Sequence, residues 1–399
     1  MVSIVTDNAE VKDCLETLLT LTRGNGAIFS DDLILKCING KMSVEAPPAE
    51  TGRVLIKLPR SCLIPLEQIS LTLSGDDIQI KSFDPDMPDT LRTITQTLIK
   101  LYNLTGKIPE LRRTSAIVFL SRHQMLTEVT CSGRNGEGFK NLIKKISSPE
   151  HFEQSIIENF TNCRSFSYKD GNNPPISVLM PIIDFLNHHA NGARFEIIPE
   201  HDQPASLQIR SAPHVVKNSS ECYVLYGVYD CFDTLLKFNF PDADTFFLRS
   251  VPLRIDLGNA GAITVLADTT GAKPQDVPDA VKDIRIYYPA VLKNENSHMT
   301  VSFLIIPGII APRSLRRILQ SLMRQMNISE SAIPALIMSA EQQILATNKN
   351  YYDKLKSVLN ALTVSLPHER GISAMFMQMC NRQLAQLAEY KTTLPPAMP

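Results

Sequence analysis

Residues 176–190, ISVLMPIIDFLNHHA, constrain this chain more than any other stretch. They open on an apolar run rich in β-branched residues, pass Pro181, and end on Asp184, Asn187 and His188. Such a run belongs in a core, and polar groups taken into a core need partners. The spacing places Asp184 and His188, four apart, on one face of a helical turn with Asn187 beside them. On the plain reading this is a helix end whose Asn and Asp satisfy local backbone donors. On the other reading the three polar side chains belong to a site. A metal centre is not expected, because one carboxylate with one or two histidines is an incomplete ligand set.

The neighbouring elements give the stretch a context. Upstream stands Asn162-Cys163-Arg164-Ser165-Phe166. Downstream come Glu221-Cys222-Tyr223-Val224-Leu225-Tyr226-Gly227 and Thr234-Leu235-Leu236-Lys237-Phe238-Asn239-Phe240. In this order the chain resembles SET-domain protein methyltransferases of the Rubisco large-subunit methyltransferase type. That family carries R-x-F, then P-x-x-D-x-x-N-H, then a strand that starts G-E-E and ends Y-G, then L-L-x-x-Y-G-F. Residues 40–59, GKMSVEAPPAETGRVLIKLP, resemble the first strand pair of that fold, with Gly40 and Gly52 on family glycines. The strong matches lie between about 164 and 240.

The resemblance implies S-adenosyl-L-methionine as cofactor and assigns roles. Arg164 would pair with the cofactor carboxylate, a fork-on-carboxylate match. Gly40, Met42 and their neighbours would offer backbone groups, and Phe166 joins the same cofactor-binding set. Asn187 and the backbone at His188 would hold the amino-acid and adenine parts, with Phe240 packed on the adenine. Tyr226 would set its hydroxyl beside the transferring methyl and the target nitrogen, stabilising charge as the methyl moves. Asp184, Tyr223 and Phe238 would belong to the substrate pocket.

Each residue also has a plainer reading. Arg164 can be an ion-pair residue, Tyr226-Gly227 a strand-to-turn exit, Phe240 core, and Asp184 a residue that orients backbone. The chain departs from the family pattern at five places. Met42 stands for the second glycine and Arg53 for an acid, while Ser219-Ser220 replace Gly-Glu. Cys231 replaces Asn, and Phe238-Asn239 replace Tyr-Gly.

Composition excludes several classes. At 399 residues the chain is too long for one ordinary core, so two or three domains are expected. A net charge of −1 without a dense Lys/Arg block gives nucleic-acid binding no electrostatic footing. The opening MVSIVTDNAEVKD lacks the basic and apolar regions of a signal peptide. The longest apolar run, 301–311, is too short to span a bilayer and is broken by Pro307-Gly308. A soluble intracellular protein, a monomer without membrane contact, is the expectation. The eight cysteines include no C-x-x-C pair and read as reduced thiols, not zinc ligands.

Periodicity fills in the rest. Val11, Leu15, Leu18 and Leu19 predict a helix over 8–23, stopped by Gly24-Asn25-Gly26. Strands are predicted at 33–38 and 53–58, helices over most of 88–165, and a turn at 133–138. Short strands follow at 193–198, 207–211 and 221–225, then at 245–255 and 262–267. From 312 onward the pattern is helical, with a frayed tail at 393–399.

The fold class expected is α+β: a SET fold of short β-strands with a helical insertion, followed by a mostly α-helical C-terminal domain. Its parts would be 1–90, the N-terminal helix and first SET half; 91–170, the insertion; 171–250, the second SET half; and 251–399, a substrate-binding domain. The implied function is S-adenosyl-L-methionine-dependent methylation of a Lys side chain, or a His, on another protein. The alternative is a catalytically degenerate SET-fold interaction scaffold. A hydrolase has no support, since neither G-x-S-x-G nor H-E-x-x-H is present.

Overall fold

The structure, a computed structural model, describes residues 2–47, 51–134, 137–171, 173–201, 203–213, 216, 219–267, 277–295, 297–308, 313–364 and 366–393. Residues 48–50, residues 135–136 of the turn expected at 133–138, residues 309–311 of the apolar run and the tail residues 394–399 lie outside the described residues. The fold is α+β. Among the described residues no helix is long and apolar enough to cross a membrane.

Contacts divide the chain into two compact units: Met1–Arg113 with Glu150–Gly227, and Thr114–Pro149 with Val228–Pro399. The helical segment 91–170 is therefore shared. Its first and last helices, Asp89–Leu104 and Phe152–Arg164, belong to the first unit, and the helices between 116 and 146 to the second.

The first unit is a set of small sheets backed by helices. Ala9–Gly24 starts where Asn8 accepts hydrogen bonds from the backbone of Glu10 and Val11, and it packs on Asp89–Leu104. The predicted stripe Leu91, Ile94, Leu98, Leu101 and Tyr102 is buried, as expected of an amphipathic helix on a core. Ser3–Thr6 runs parallel to Ile34–Ile38, which pairs antiparallel with Lys41–Glu45. The turn between the last two is Asn39-Gly40, with φ of 51° and 72°, the left-handed pair that tight hairpins require. A second sheet has the order Phe195–Glu200, Gln203–Arg210, Val54–Leu58, Ile28–Phe29. A third sets Ile176–Leu179 between Ile64–Pro65 and Phe166–Tyr168.

Here the structure corrects one expectation. The segment after Ile176–Leu179 makes only a short 3₁₀ turn, Ile183–Phe185, and is extended again from Asn187. Asp184 and His188 therefore do not share a helical face. Two features set this path. Ile182 adopts φ of 68°, which turns the chain after Pro181, and Asn187–Ala193 pairs in parallel with Tyr223–Val224. Strand pairing at 187 draws the chain out of the helical turn that local spacing alone would favour.

The second unit combines helices with a four-stranded sheet, ordered Leu253–Asp256, Ala262–Val265, His298–Val301, Val291–Glu295. The region from 251 on thus begins as a sheet and turns helical at Ser314–Gln325, Ile333–Ala361 and Pro367–Thr393. The predicted strand 245–255 is two strands, Phe247–Arg249 and Leu253–Asp256, and the first pairs with Ile305–Pro307.

Cys231–Phe238 is capped by Asp230 in a capping box with Asp233. A buried quartet of charges surrounds that cap. Arg134 reaches Asp230 at 2.7 Å and Asp233 at 2.9 Å, while Arg249 reaches Asp233 at 2.8 Å. Burial works against both carboxylates. It prevails at Asp230, which is raised, whereas Arg249 and Arg134 hold Asp233 below its ordinary value. The helix ends at Asn239 with φ of 65°; besides glycine, Asn is among the few residues that accept this conformation.

Candidate functional site

The first unit gathers most of the predicted site residues around the turn at 183–185. Arg164, the last residue of Phe152–Arg164, directs Nη1 to Asp184 Oδ2 at 2.8 Å. The same oxygen accepts the Tyr102 hydroxyl at 2.7 Å. The guanidinium lies over two rings, 5.2 Å from the centroid of Tyr102 and 5.1 Å from that of Phe160. Asp184 is thus satisfied by side chains from two helices and not by neighbouring backbone. Its side chain is 7% exposed and that of Arg164 23%.

Electrostatics follow from this burial. At Asp184, burial raises the carboxyl above its ordinary value, against the pull of Arg164 and the Tyr102 hydroxyl. Burial also opposes the charge of Arg164, but the Asp184 carboxylate more than compensates and holds the guanidinium charged. Lys107 completes the group. Its Nζ donates to the Gly40 carbonyl at 3.0 Å and to Glu110 at 3.3 Å, and burial, then Arg164, lowers its affinity for a proton.

A second cluster is built on Asn187, which is exposed on its strand. Its Nδ2 donates to Glu221 Oε1 at 2.6 Å and to the Met42 carbonyl at 3.3 Å. The other Glu221 oxygen accepts the Tyr223 hydroxyl at 2.8 Å. His188 Nδ1 accepts the backbone N–H of Tyr226 at 3.1 Å, and the two rings lie 5.0 Å apart. The accepting Nδ1 leaves the proton of a neutral ring on Nε2. The Tyr226 hydroxyl donates to the Leu186 carbonyl at 2.8 Å. Burial pushes this phenol well above the ordinary tyrosine value, so it stays protonated.

Gly40, Met42, Arg164, Asp184, Asn187, His188, Tyr223 and Tyr226 therefore belong to one unit, where the contacts join Arg164 to Asp184, Asn187 to Met42 and through Glu221 to Tyr223, and His188 to Tyr226. Phe166 sits one strand away, its ring 5.1 Å from that of Phe195. Phe238 and Phe240 belong to the second unit, stacked on each other at 6.3 Å.

Gly40 has a structural requirement of its own. Besides its positive φ, a Cβ there would stand 2.8 Å from the Thr105 carbonyl oxygen. Met42 does not need glycine geometry, since it lies in the regular strand Lys41–Glu45 opposite Cys37 with no positive φ.

Sequence reading missed four contributors. Tyr102 was visible only as one residue of a core stripe, and Lys107 gave no signal at all. Glu221 alternates with Tyr223, the period that puts two side chains on one side of an extended chain. Gly192 matters because the strand from Asn187 crosses Tyr223–Val224 there. A Cβ on Gly192 would lie 2.7 Å from Val224 C and 2.9 Å from Tyr223 C, both backbone atoms that cannot yield cheaply. Gly192→Ala is expected to cost about 1–3 kcal/mol, read as a lower urea midpoint. An unchanged midpoint would show that the crossing has slack.

No family model matches the sequence. No curated protein matches it. Among solved structures the chain is similar to the crystal structure of the SET domain of LSMT bound to lysine and AdoHcy. The TM-score is 0.43 and the identity 10%, over 96% of this chain and 91% of that one.

Proposed function

We propose that this protein is an S-adenosyl-L-methionine-dependent methyltransferase of SET type, acting on a Lys side chain, or a His, of another protein. One observation carries the reading. Three elements far apart in sequence, 40–42, 187–188 and 226, converge through hydrogen bonds made by Asn187 and His188. The residues fit a zwitterionic nucleoside. Asn187 is exposed, bonds to Glu221 and to the Met42 carbonyl through its amide nitrogen, and so adjoins the backbone of the 40–42 hairpin.

When bound, the cofactor would supply a methyl group already activated on a sulfonium. The chain's task is then alignment and exclusion of water. Asn187 would hold the amino-acid part through its amide oxygen. His188 holds the Tyr226 backbone, and through it the ring, in place. Tyr226, kept neutral by burial, would orient the reacting groups by hydrogen bonding and would not act as a base. The Asp184–Arg164–Tyr102 cluster would brace the turn that carries Leu186, the acceptor of the Tyr226 hydroxyl.

Calorimetric titration with S-adenosyl-L-methionine tests the reading directly. Binding by folded wild-type protein is expected, and its absence at millimolar concentration would overturn it. The scaffold alternative draws on Met42, whose side chain could fill space the cofactor needs. Met42→Gly separates the two. Because Met42 has ordinary strand geometry, the substitution should change cofactor affinity less than about threefold and cost up to ~1 kcal/mol of stability. Affinity that appears only in Met42→Gly would favour the scaffold.

A further inference from the structure

We propose that Glu221 is a positioning residue that locks the Asn187 amide with its oxygen outward, so that the site selects a ligand group that donates hydrogen bonds. The inference rests on the cofactor reading above and names the part of the cofactor that Asn187 takes: the ammonium of its amino-acid moiety.

A primary amide presents an acceptor on one side and donors on the other, and an exposed Asn can turn over. Here it cannot do so freely. Nδ2 faces Glu221 Oε1 at 2.6 Å and the Met42 carbonyl oxygen at 3.3 Å, and neither oxygen can donate. Turning the amide over would bring Oδ1 against a carboxylate and a carbonyl, losing both bonds and adding repulsion. Oδ1 is therefore held away from Glu221, and the bonds of Asn187 to Glu221 and Met42 are both made by Nδ2.

Glu221 is itself fixed. The Tyr223 hydroxyl donates to its second oxygen at 2.8 Å, the Ser219 hydroxyl accepts its backbone N–H at 3.2 Å, and residue 221 bridges to Glu45. A short, charge-assisted bond on one side of the amide dictates chemistry on the other. The Glu221 carboxylate also favours a cation over an anion in this neighbourhood, while that of Glu45 is already paired with Lys36 at 3.0 Å. Of the groups on the cofactor's amino-acid end, the ammonium meets both conditions and the carboxylate meets neither.

The test is a ligand-by-variant cycle in calorimetry. The ligands are S-adenosylhomocysteine and its analogue with hydrogen in place of the α-amino group. The proteins are wild type, Glu221→Ala and Glu221→Gln. Wild type is expected to prefer the amino-bearing ligand by about tenfold or more. Glu221→Ala should erase most of that preference while its affinity for the deaminated analogue stays within about threefold. Glu221→Gln keeps the shape and the fold, but its amide can pair with Asn187 in either orientation, so the preference should fall there too.

A general loss of structure would weaken both ligands alike and leave the preference intact, and that result overturns the proposal. So does an unchanged preference in both variants, with the cofactor reading left standing. A wild type that binds neither ligand removes the cofactor reading, and this inference with it.

Discussion

Arg164→Ala is expected to cost about 3–5 kcal/mol of folding stability at neutral pH, among the larger losses a single substitution produces. The reason is the carboxylate left behind. Asp184 is 7% exposed in its side chain and takes its hydrogen bonds from Arg164 and Tyr102. Removing the guanidinium also empties the space over the rings of Tyr102 and Phe160. Lys107, the other cation whose field reaches Asp184, offsets only part of this.

The loss should depend on pH, with a definite sign. Asp184 is raised in the folded protein, chiefly by burial. A raised carboxyl contributes stability below its unfolded value, about 3.9, and that contribution disappears as pH climbs through the folded value. Without Arg164 the folded value rises further, so the variant loses more on going from acid to neutral pH than wild type does. The deficit measured by urea unfolding should therefore be smaller near pH 4 than at pH 7. Adding Asp184→Asn should recover part of it at pH 7. A deficit independent of pH, with no recovery in the double variant, would mean that the pair is not a stability determinant.

How much of this was legible beforehand depended on whether the signal was local. The helix at 9–24 and the stripe of Asp89–Leu104 are set by repeating apolar positions, and the structure has both. The turn at Asn39-Gly40, not singled out from the sequence, uses residue types that accept positive φ. What was not legible needed a partner distant in sequence. Asn187 is drawn into a strand by Tyr223, 36 residues on, against the helical spacing of its own neighbourhood. Tyr102 looked like any core aromatic, because its hydroxyl finds Asp184 across 82 residues. The sheet at 253–301 escaped in part because Val291–Glu295 is largely exposed and carries little apolar alternation. The sequence leaves Arg164 two readings, a cofactor contact or an ion-pair residue, and names no partner for the second. Only the folded chain reveals the carboxylate at 2.8 Å.

On the proposed methyltransferase reading, Tyr226→Phe should lower turnover by about 10²–10³ while the cofactor Kd moves less than about threefold. The substitution is narrow. The ring that meets His188 at 5.0 Å is kept, and so is the backbone N–H that His188 accepts. Only the oxygen is lost, together with its bond to the Leu186 carbonyl, at a stability cost of about 1 kcal/mol. A group that merely braced the fold would show that stability cost and little else. A group that meets charge developing on the reacting atoms would show the rate loss.

The pH profile separates two ways of doing so. Burial keeps the Tyr226 phenol protonated across the range in which proteins are assayed, so it cannot take the proton of the incoming amine. The variant's rate should then fall by the same factor at every pH, leaving the profile's shape unchanged. Methyl transfer to a Lys- or His-bearing protein substrate, followed by mass with cofactor in excess, gives both readings. Wild-type turnover in Tyr226→Phe would remove this residue from the mechanism. A profile that changed shape would mean that its hydroxyl titrates during the reaction, and that burial does not hold the proton in place.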